Sequence, residues 1–423
     1  MKSGVGSWSY AWSQHLQHLG SERIQPLVSQ SNSFAFLLRY KDRDGVAVEV
    51  NVFSKRLSFV AILLSLLVTS LDARAIAAEW EDRDFEPSKF QESITAALDW
   101  LAEHQMADGG WSFDHTTALT CGGKCKNKGQ LSKHRNAATA LALSALLDSN
   151  QTHLKGRDKA AIARGLRYLM AHAKRTPNGN SHEDENNRMH GHDLAAMVLC
   201  RVYSSTQDKH LRKHAQRSLD YTCHILDQNQ GGWRYAEQKP DEKSICGWRL
   251  LPIREGHMGY LTVPRETLNH SIAFLDKSQV NGGVEYAHIP GKDANETATA
   301  VGLLWRAMLG WKRDDARMLA GIKLVSERGP SKNDLSYNCF VHELLPYGDF
   351  ETRMKWNEEL KQRLLDSQVG PGGHDEGSWY FDDVNAKSGG RLYCTALAAR
   401  ILMRPPRWPR TPVTLTPDED FPE

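Results

Sequence analysis

Three short segments recur along the chain, each closing an amphipathic helical pattern: QMADGGW at 105–111, QNQGGW at 228–233 and SQVNGGV at 278–284. A fourth, SQVGPGG…GSW at 367–379, completes the series. A turn that keeps following the same kind of helix means one supersecondary unit copied around a common core, because such a unit buries its apolar face only against its neighbours. This constrains the fold more than any single residue does.

Two classes of helix alternate between the turns. The first is amphipathic and rich in charge: 90–104, 159–173, 211–227, 265–277, 314–327 and 355–366. In the first of these, Phe90, Ile94, Ala97, Leu98 and Leu101 follow helical spacing and leave Glu92, Asp99 and Glu103 for water. The second class is rich in Ala, Leu and Thr with few charges: 136–147, 191–203, 244–253, 295–311, 335–345 and 391–403. A helix apolar nearly all round is buried on most faces. Six outer and six inner helices in strict alternation predict an all-α fold, an α6/α6 toroid of two concentric rings. In its turns, glycine after the outer helix is expected to supply a left-handed cap, with the following Trp wedged between neighbouring units.

The toroid is expected to span 79–406, followed by a C-terminal tail, 407–423. Upstream, Lys55-Arg56 precedes an apolar run from Leu57 to Leu71 and small residues around Ala73, Ala75 and Ala77, the pattern of a secretory signal peptide at 55–78. The run is about 15 residues, shorter than the roughly 17–25 of a spanning helix. Cleavage near Ala77 or Ala78 would export the mature chain to the periplasm or the outside. Residues 1–54 read as a non-native or disordered extension, with translation beginning at a non-ATG codon near Val52. Lys and Arg together number 53 against 51 Asp and Glu, which leaves no basic stripe for nucleic acid.

All seven cysteines follow the signal segment. Cys121 and Cys125, in the loop CGGKC, form a disulfide candidate in an oxidising compartment. Half of a metal site is the rival reading, but no second Cys pair stands at ligand spacing, so no metal and no cofactor is expected.

The pattern Gln, three residues, Gly, any residue, Trp at Gln105, Gly109 and Trp111 resembles the squalene cyclase / protein prenyltransferase repeat superfamily. More narrowly, CGGKC with NAATALAL, MHGHDLAAMVLC, GGWRY, TATAVGLLW and GGRLYCTALA resemble a group of exported bacterial toroid proteins without an assigned reaction. The resemblance implies a toroid whose inner helices direct their N-terminal ends at a central cavity. The family's catalytic signatures are absent: neither Asp314-Asp315 nor Asp382-Asp383 completes an Asp-any-Asp-Asp motif, and no Asp-any-Cys occurs.

Polar and aromatic residues at the inner-helix starts are then the site candidates. His192 and Glu296 are the catalytic candidates, as general acid or base; Thr139, His190, Asp193, Trp248, Thr299, Tyr337 and Tyr393 are ligand-binding candidates. The first expectation is a binding protein for an apolar, isoprenoid-like or lipid-like small molecule. A terpenoid cyclase or prenyltransferase using His192 or Glu296 is the second, and an envelope protein–protein interaction scaffold the third. Mapping the N-terminus of the precursor tests the start-site reading: initiation near Val52 is expected, and a product carrying Met1 would overturn it.

Overall fold

The computed structural model describes the backbone of residues 25–27, 34–41 and 47–54, and then residues 90–185, 189–232 and 243–403. The chain divides into two units, Met1–Glu86 and Pro87–Glu423. The segment 55–78, Trp233, Tyr235 and the tail lie outside the described residues. In the first unit β1 (Gln25–Leu27), β2 (Phe34–Lys41) and β3 (Ala47–Ser54) form an antiparallel sheet in which Phe36 pairs with Val52 and Leu38 with Val50. These strands lie within residues 1–54, the segment for which a non-native or disordered extension was the expectation. The strands follow from alternation the sequence carries at Phe34, Phe36, Leu38 and Tyr40 and again at Val48, Val50 and Val52.

The second unit is the α/α toroid. Its outer helices are α1 (Gln91–Glu103), α3 (Lys159–Ala171), α5 (Lys209–Gln228), α7 (Arg265–Ser278), α9 (Ala316–Arg328) and α11 (Phe350–Ser367). Its inner helices are α2 (Arg135–Asp148), α4 (Gly191–Thr206), α6 (Gly247–Met258), α8 (Glu296–Met308), α10 (Leu335–Leu344) and α12 (Ala386–Met403). Each inner helix packs on the next, and α12 packs on both α1 and α2, closing the ring. The two classes differ as their composition predicts. Every residue of α2 from Asn136 to Leu147 is buried, whereas α1 buries Ser93, Ile94, Ala97, Leu98, Trp100 and Leu101. Asp208, Asn295, Asp315, Asp334 and Asp349 cap their helices by accepting from backbone N–H groups two or three residues on. Among the described residues no helix is long and apolar enough to cross a membrane.

The recurring turns prove to be joints between units rather than helix caps. Gln105 donates from Nε2 to Gly109 O (2.7 Å) and to Ala161 O of α3 (2.9 Å). Gln368 does the same at the seam, to Gly377 O (2.7 Å) and to Ser93 O of α1 (2.9 Å). Gly109 (φ +89°) and Gly377 (φ +77°) lie so close to the backbone of the next outer helix that a Cβ would sit 2.9 Å from Arg164 O and 2.7 Å from Ala96 O. Glycine is needed there for both conformation and space.

An inner-helix threonine then fixes the aromatic wedge. Thr139 Oγ1 accepts from Trp111 N (2.8 Å), and Thr395 Oγ1 from Trp379 N (3.0 Å). Thr299 Oγ1 accepts in the same way from Tyr286 N (3.1 Å), so in the third turn Tyr286, two residues beyond Val284, occupies the wedge position. The indoles of Trp111 and Trp379 donate back to Leu101 O (2.7 Å) and Leu364 O (2.8 Å) of their own outer helices.

The C-terminal ends of five inner helices carry a buried ion network. Arg400 contacts Asp148 (2.8 Å) and Glu343 (3.9 Å), Arg201 pairs with Asp148, and Arg254 bridges Glu343 (2.6 Å) and Glu255 (2.7 Å). Arginines there also meet the negative ends of the helix dipoles. Removing one partner of such a network strands the others without water. Arg400→Met is therefore expected to lower stability by roughly 3–5 kcal/mol in equilibrium urea unfolding. The exposed Lys323→Ala is the control, expected to change it by less than about 0.5 kcal/mol.

Candidate functional site

Consecutive outer and inner helices run antiparallel, so the inner helices share one direction and present their N-terminal ends together. A cavity of about 240 Å³ lies there, lined at the starts of five of them. His190 comes from α4, Cys246 and Trp248 from α6, Thr297 from α8, Asp334 and Ser336 from α10, and Asn385 and Tyr393 from α12. Leu141, Leu194, Val301 and Phe340 supply apolar wall, with Phe340 and Trp248 in ring contact at 4.9 Å. The sixth N-terminus is already filled: the Asp184 carboxylate accepts from Asn136 N (3.0 Å) and Ala137 N (2.9 Å) at the start of α2. Burial pushes Asp184 up to about 6, against the opposing pull of those two N–H groups.

The charged feature of the cavity is built around His190, which precedes α4 in a left-handed conformation (φ 53°). Its Nδ1 lies 3.5 Å from Cys246 Sγ and 3.8 Å from the buried Asp193 carboxylate. Asp193 is in turn 2.9 Å from Arg249, also buried, inside α6. Burial alone would lower His190, but the electrostatic pull of Cys246 and the hydrogen bond to Asp193 outweigh it and push the imidazole up to about 10. Burial favours a neutral Asp193, yet the Arg249 guanidinium holds its carboxyl below the usual range. His288, a further lining residue, is lowered by burial and by the neighbouring His190.

Cys246, His190 and Asp193 do not form a nucleophile–base–orienter relay, because sulfur and carboxylate approach the same ring nitrogen. They could share a metal ion, their donor atoms lying within 4.8 Å of one another, although Asp193 is already engaged by Arg249. What the arrangement provides is an imidazole held toward its protonated form by Cys246 and Asp193, beside an apolar, aromatic wall. On the opposite side the Tyr393 hydroxyl meets Ser336 Oγ (2.8 Å) and accepts from Asn385 Nδ2 (3.3 Å).

Of the residues singled out in the sequence, His190, Trp248 and Tyr393 line the cavity and Asp193 stands behind His190. The others do not. His192 is fully buried and turned toward α5: its Nδ1 accepts from His182 N (3.3 Å) and its Nε2 faces Thr222 Oγ1 (3.0 Å). Burial holds that imidazole neutral, well below its ordinary value. His190 precedes the helix in a left-handed conformation whereas His192 lies inside its first turn, and the two side chains face different ways. Glu296 is no buried acid; its side chain is 66% exposed and 3.7 Å from Arg328. Thr139 and Thr299 serve the turns described above. Tyr337 is buried toward α9, its hydroxyl 3.5 Å from Val325 O.

Cys121 and Cys125 are free thiols, so the expected disulfide is not formed. Sequence reasoning missed Cys246, Arg249, His288, Ser336 and Asn385. An arginine inside an otherwise apolar inner helix was the available signal for Arg249.

No protein-family model matches the chain, and no curated protein matches it. Among solved structures, the GH76A alpha-1,6-mannanase from Salegentibacter sp. HEL1_6 is similar over 75% of this chain and 100% of its own, with 13% identity and a TM-score of 0.50. The type II terpene cyclase MstE from Scytonema is similar over 74% of this chain and 97% of its own, with 16% identity and a TM-score of 0.44. At 13% identity the mannanase likeness bears on fold alone: this chain is an all-α, α/α toroid protein.

A His whose folded-state value is raised stabilises the fold fully below its ordinary value of 6.5 and loses that contribution as pH rises through the folded value. Stability of the native chain is therefore expected to decline between pH 6.5 and about 10 by a component that His190→Gln lacks. Urea unfolding of both proteins across that range checks it; parallel curves would contradict the charged His190.

Proposed function

We propose that this toroid binds a small carboxylate-bearing molecule with a short apolar body in its central cavity. The observation that carries the reading is the position of His190, held toward its protonated form by Cys246 and Asp193, beside Trp248 and Phe340 at the N-terminal ends of the inner helices. Asn295 and Asp334 already cap α8 and α10, but the starts of α4 and α6 have no side-chain cap, and their partial positive charge favours an anion. The cavity, of about 240 Å³, has room for a small-molecule ligand. Export through the segment 55–78 would place this binding site outside the cytosol.

A glycoside hydrolase reading, prompted by the mannanase neighbour, finds less support. That chemistry uses two carboxyl groups flanking the scissile bond. Among the described residues lining the cavity the carboxylate is Asp334, and it is committed to Tyr337 N (2.8 Å) and the Thr297 hydroxyl (3.1 Å).

Calorimetric titration with benzoate and with benzyl alcohol tests the proposal, alongside native mass spectrometry of protein from its own source. Benzoate is expected to bind at least tenfold more tightly than the alcohol, and His190→Gln to erase the difference. Equal affinities, or no binding of either, would sink it.

A further inference from the structure

Away from the cavity, four side chains that the binding site does not use meet where the ring closes. His104 ends α1, Cys121 and Cys125 follow in the next loop, and His374 arrives from the loop between α11 and α12. Their donor atoms all lie within 4.8 Å of one another. Cys125 Sγ is 3.3 Å from His104 Nε2 and 3.3 Å from His374 Nδ1, and the Cys125 N–H points at Cys121 Sγ (3.5 Å). His104, Cys121 and Cys125 are buried.

Both imidazoles are held in the tautomer a metal requires. His104 Nδ1 faces Trp100 O at 2.6 Å, and His374 Nε2 faces Thr120 O at 3.0 Å. A carbonyl only accepts, so each of those nitrogens carries the proton and the opposite nitrogen turns its lone pair toward the sulfurs. Backbone orientation of a ligand histidine through its second nitrogen is the usual support of a metal site. Trp100 also stacks on the His104 ring at 4.0 Å. Without a cation the single Cys125 thiol proton is shared among three acceptors, His104 Nε2, His374 Nδ1 and His374 O, each 3.3 Å away.

A cation resolves this. Zn–S bonds of about 2.3 Å and Zn–N bonds of about 2.0–2.1 Å in a tetrahedron separate the ligand atoms by roughly 3.3–3.8 Å. A sulfur and a nitrogen on such an ion stand about 3.6 Å apart, and the two S···N distances of 3.3 Å lie within about 0.3 Å of that. Two sulfurs and two nitrogens are a donor set that selects zinc over the oxygen-seeking cations. With both thiols deprotonated, the two thiolates neutralise one Zn²⁺, which suits a buried position; two protons leave to solvent as the two Zn–S bonds form.

We propose that His104, Cys121, Cys125 and His374 bind one Zn²⁺ in a closed structural site that fastens the last unit of the toroid to the first. The site joins the two ends of the ring across the seam where Gln368 and Gly377 also meet α1. It uses the two cysteines that the sequence offered as a disulfide candidate, and none of its four residues lines the cavity.

Elemental analysis of the full chain, purified with no added metal, is expected to find one zinc per chain. Replacement by Co²⁺ is expected to give the visible bands and thiolate charge-transfer band of a tetrahedral S₂N₂ site. Cys125→Ser and His374→Gln should each weaken Co²⁺ binding at least tenfold, and chelator should lower the melting temperature of the native protein but not of these variants. A metal-free chain two hydrogens lighter, showing Cys121 linked to Cys125, would overturn the site. So would zinc that survives Cys125→Ser and disappears in Cys246→Ser, which would put it beside His190. If the variants do not fold, the Co²⁺ spectrum of the native chain decides alone, and absence of the thiolate band counts against the proposal.

Discussion

The fold depends on how closely each turn approaches the next outer helix. Gly109 stands against the backbone of α3 and Gly377 against that of α1, at distances that admit no Cβ. At both places a glutamine earlier in the chain, four residues back at Gln105 and nine at Gln368, ties the joint by donating to its own turn and to the neighbouring helix. A linear stack could use the same joint indefinitely. Here the sixth unit makes it with the first, so the rotation between units must sum to a full circle. The contact at Gln105 sets the geometry that the contact at Gln368 must reproduce.

Closure has an electrostatic consequence. Inner helices that all run the same way gather six N-terminal ends on one side of the ring and six C-terminal ends on the other. The C-terminal side is sealed by the Arg400–Asp148–Glu343–Arg254 network, which gives the aligned carbonyl ends cations to face. Of the N-terminal ends, that of α2 is taken by Asp184. Gly191 is what lets it in, since a Cβ there would stand 2.4 Å from the Asp184 carboxylate. At α8 and α10 the caps Asn295 and Asp334 take up part of that charge, and at α4 the Asp193 carboxylate stands behind His190. The starts of α4 and α6 have no side-chain cap, so their partial positive charge faces the cavity beside His190.

Much of this was legible in the sequence because helical periodicity reports burial directly. The twelve helices fall where charge-rich and charge-poor patterns alternate, with ends shifted by a few residues. Side-chain direction at a helix start was the part that composition could not resolve. His190 and His192 are both polar residues at the mouth of α4, yet one enters the cavity and the other is consumed by His182 and Thr222. Thr139 and Thr299 sit at the same level and point outward to the turns, since pinning the aromatic wedge requires a hydroxyl there. Glu296 stands at the exposed first position of α8, near Arg328, while Ala298 and Thr299 of the same turn are buried.

The cysteine loop shows the same limit from another direction. Read alone, Cys121 and Cys125 are two thiols four residues apart, and the nearest completion available to them is each other. The partners that change this chemistry lie elsewhere: His104 at the end of a helix read as wholly structural, and His374 in a Gly-rich acidic loop near the end of the chain. They meet the cysteines because the ring closes. In a linear array of the same units, His374 would sit at the far end and Cys121–Cys125 would remain half a site. A donor set assembled across the seam therefore exists only in the closed toroid, and any cation it holds stabilises closure in preference to every open arrangement of the chain.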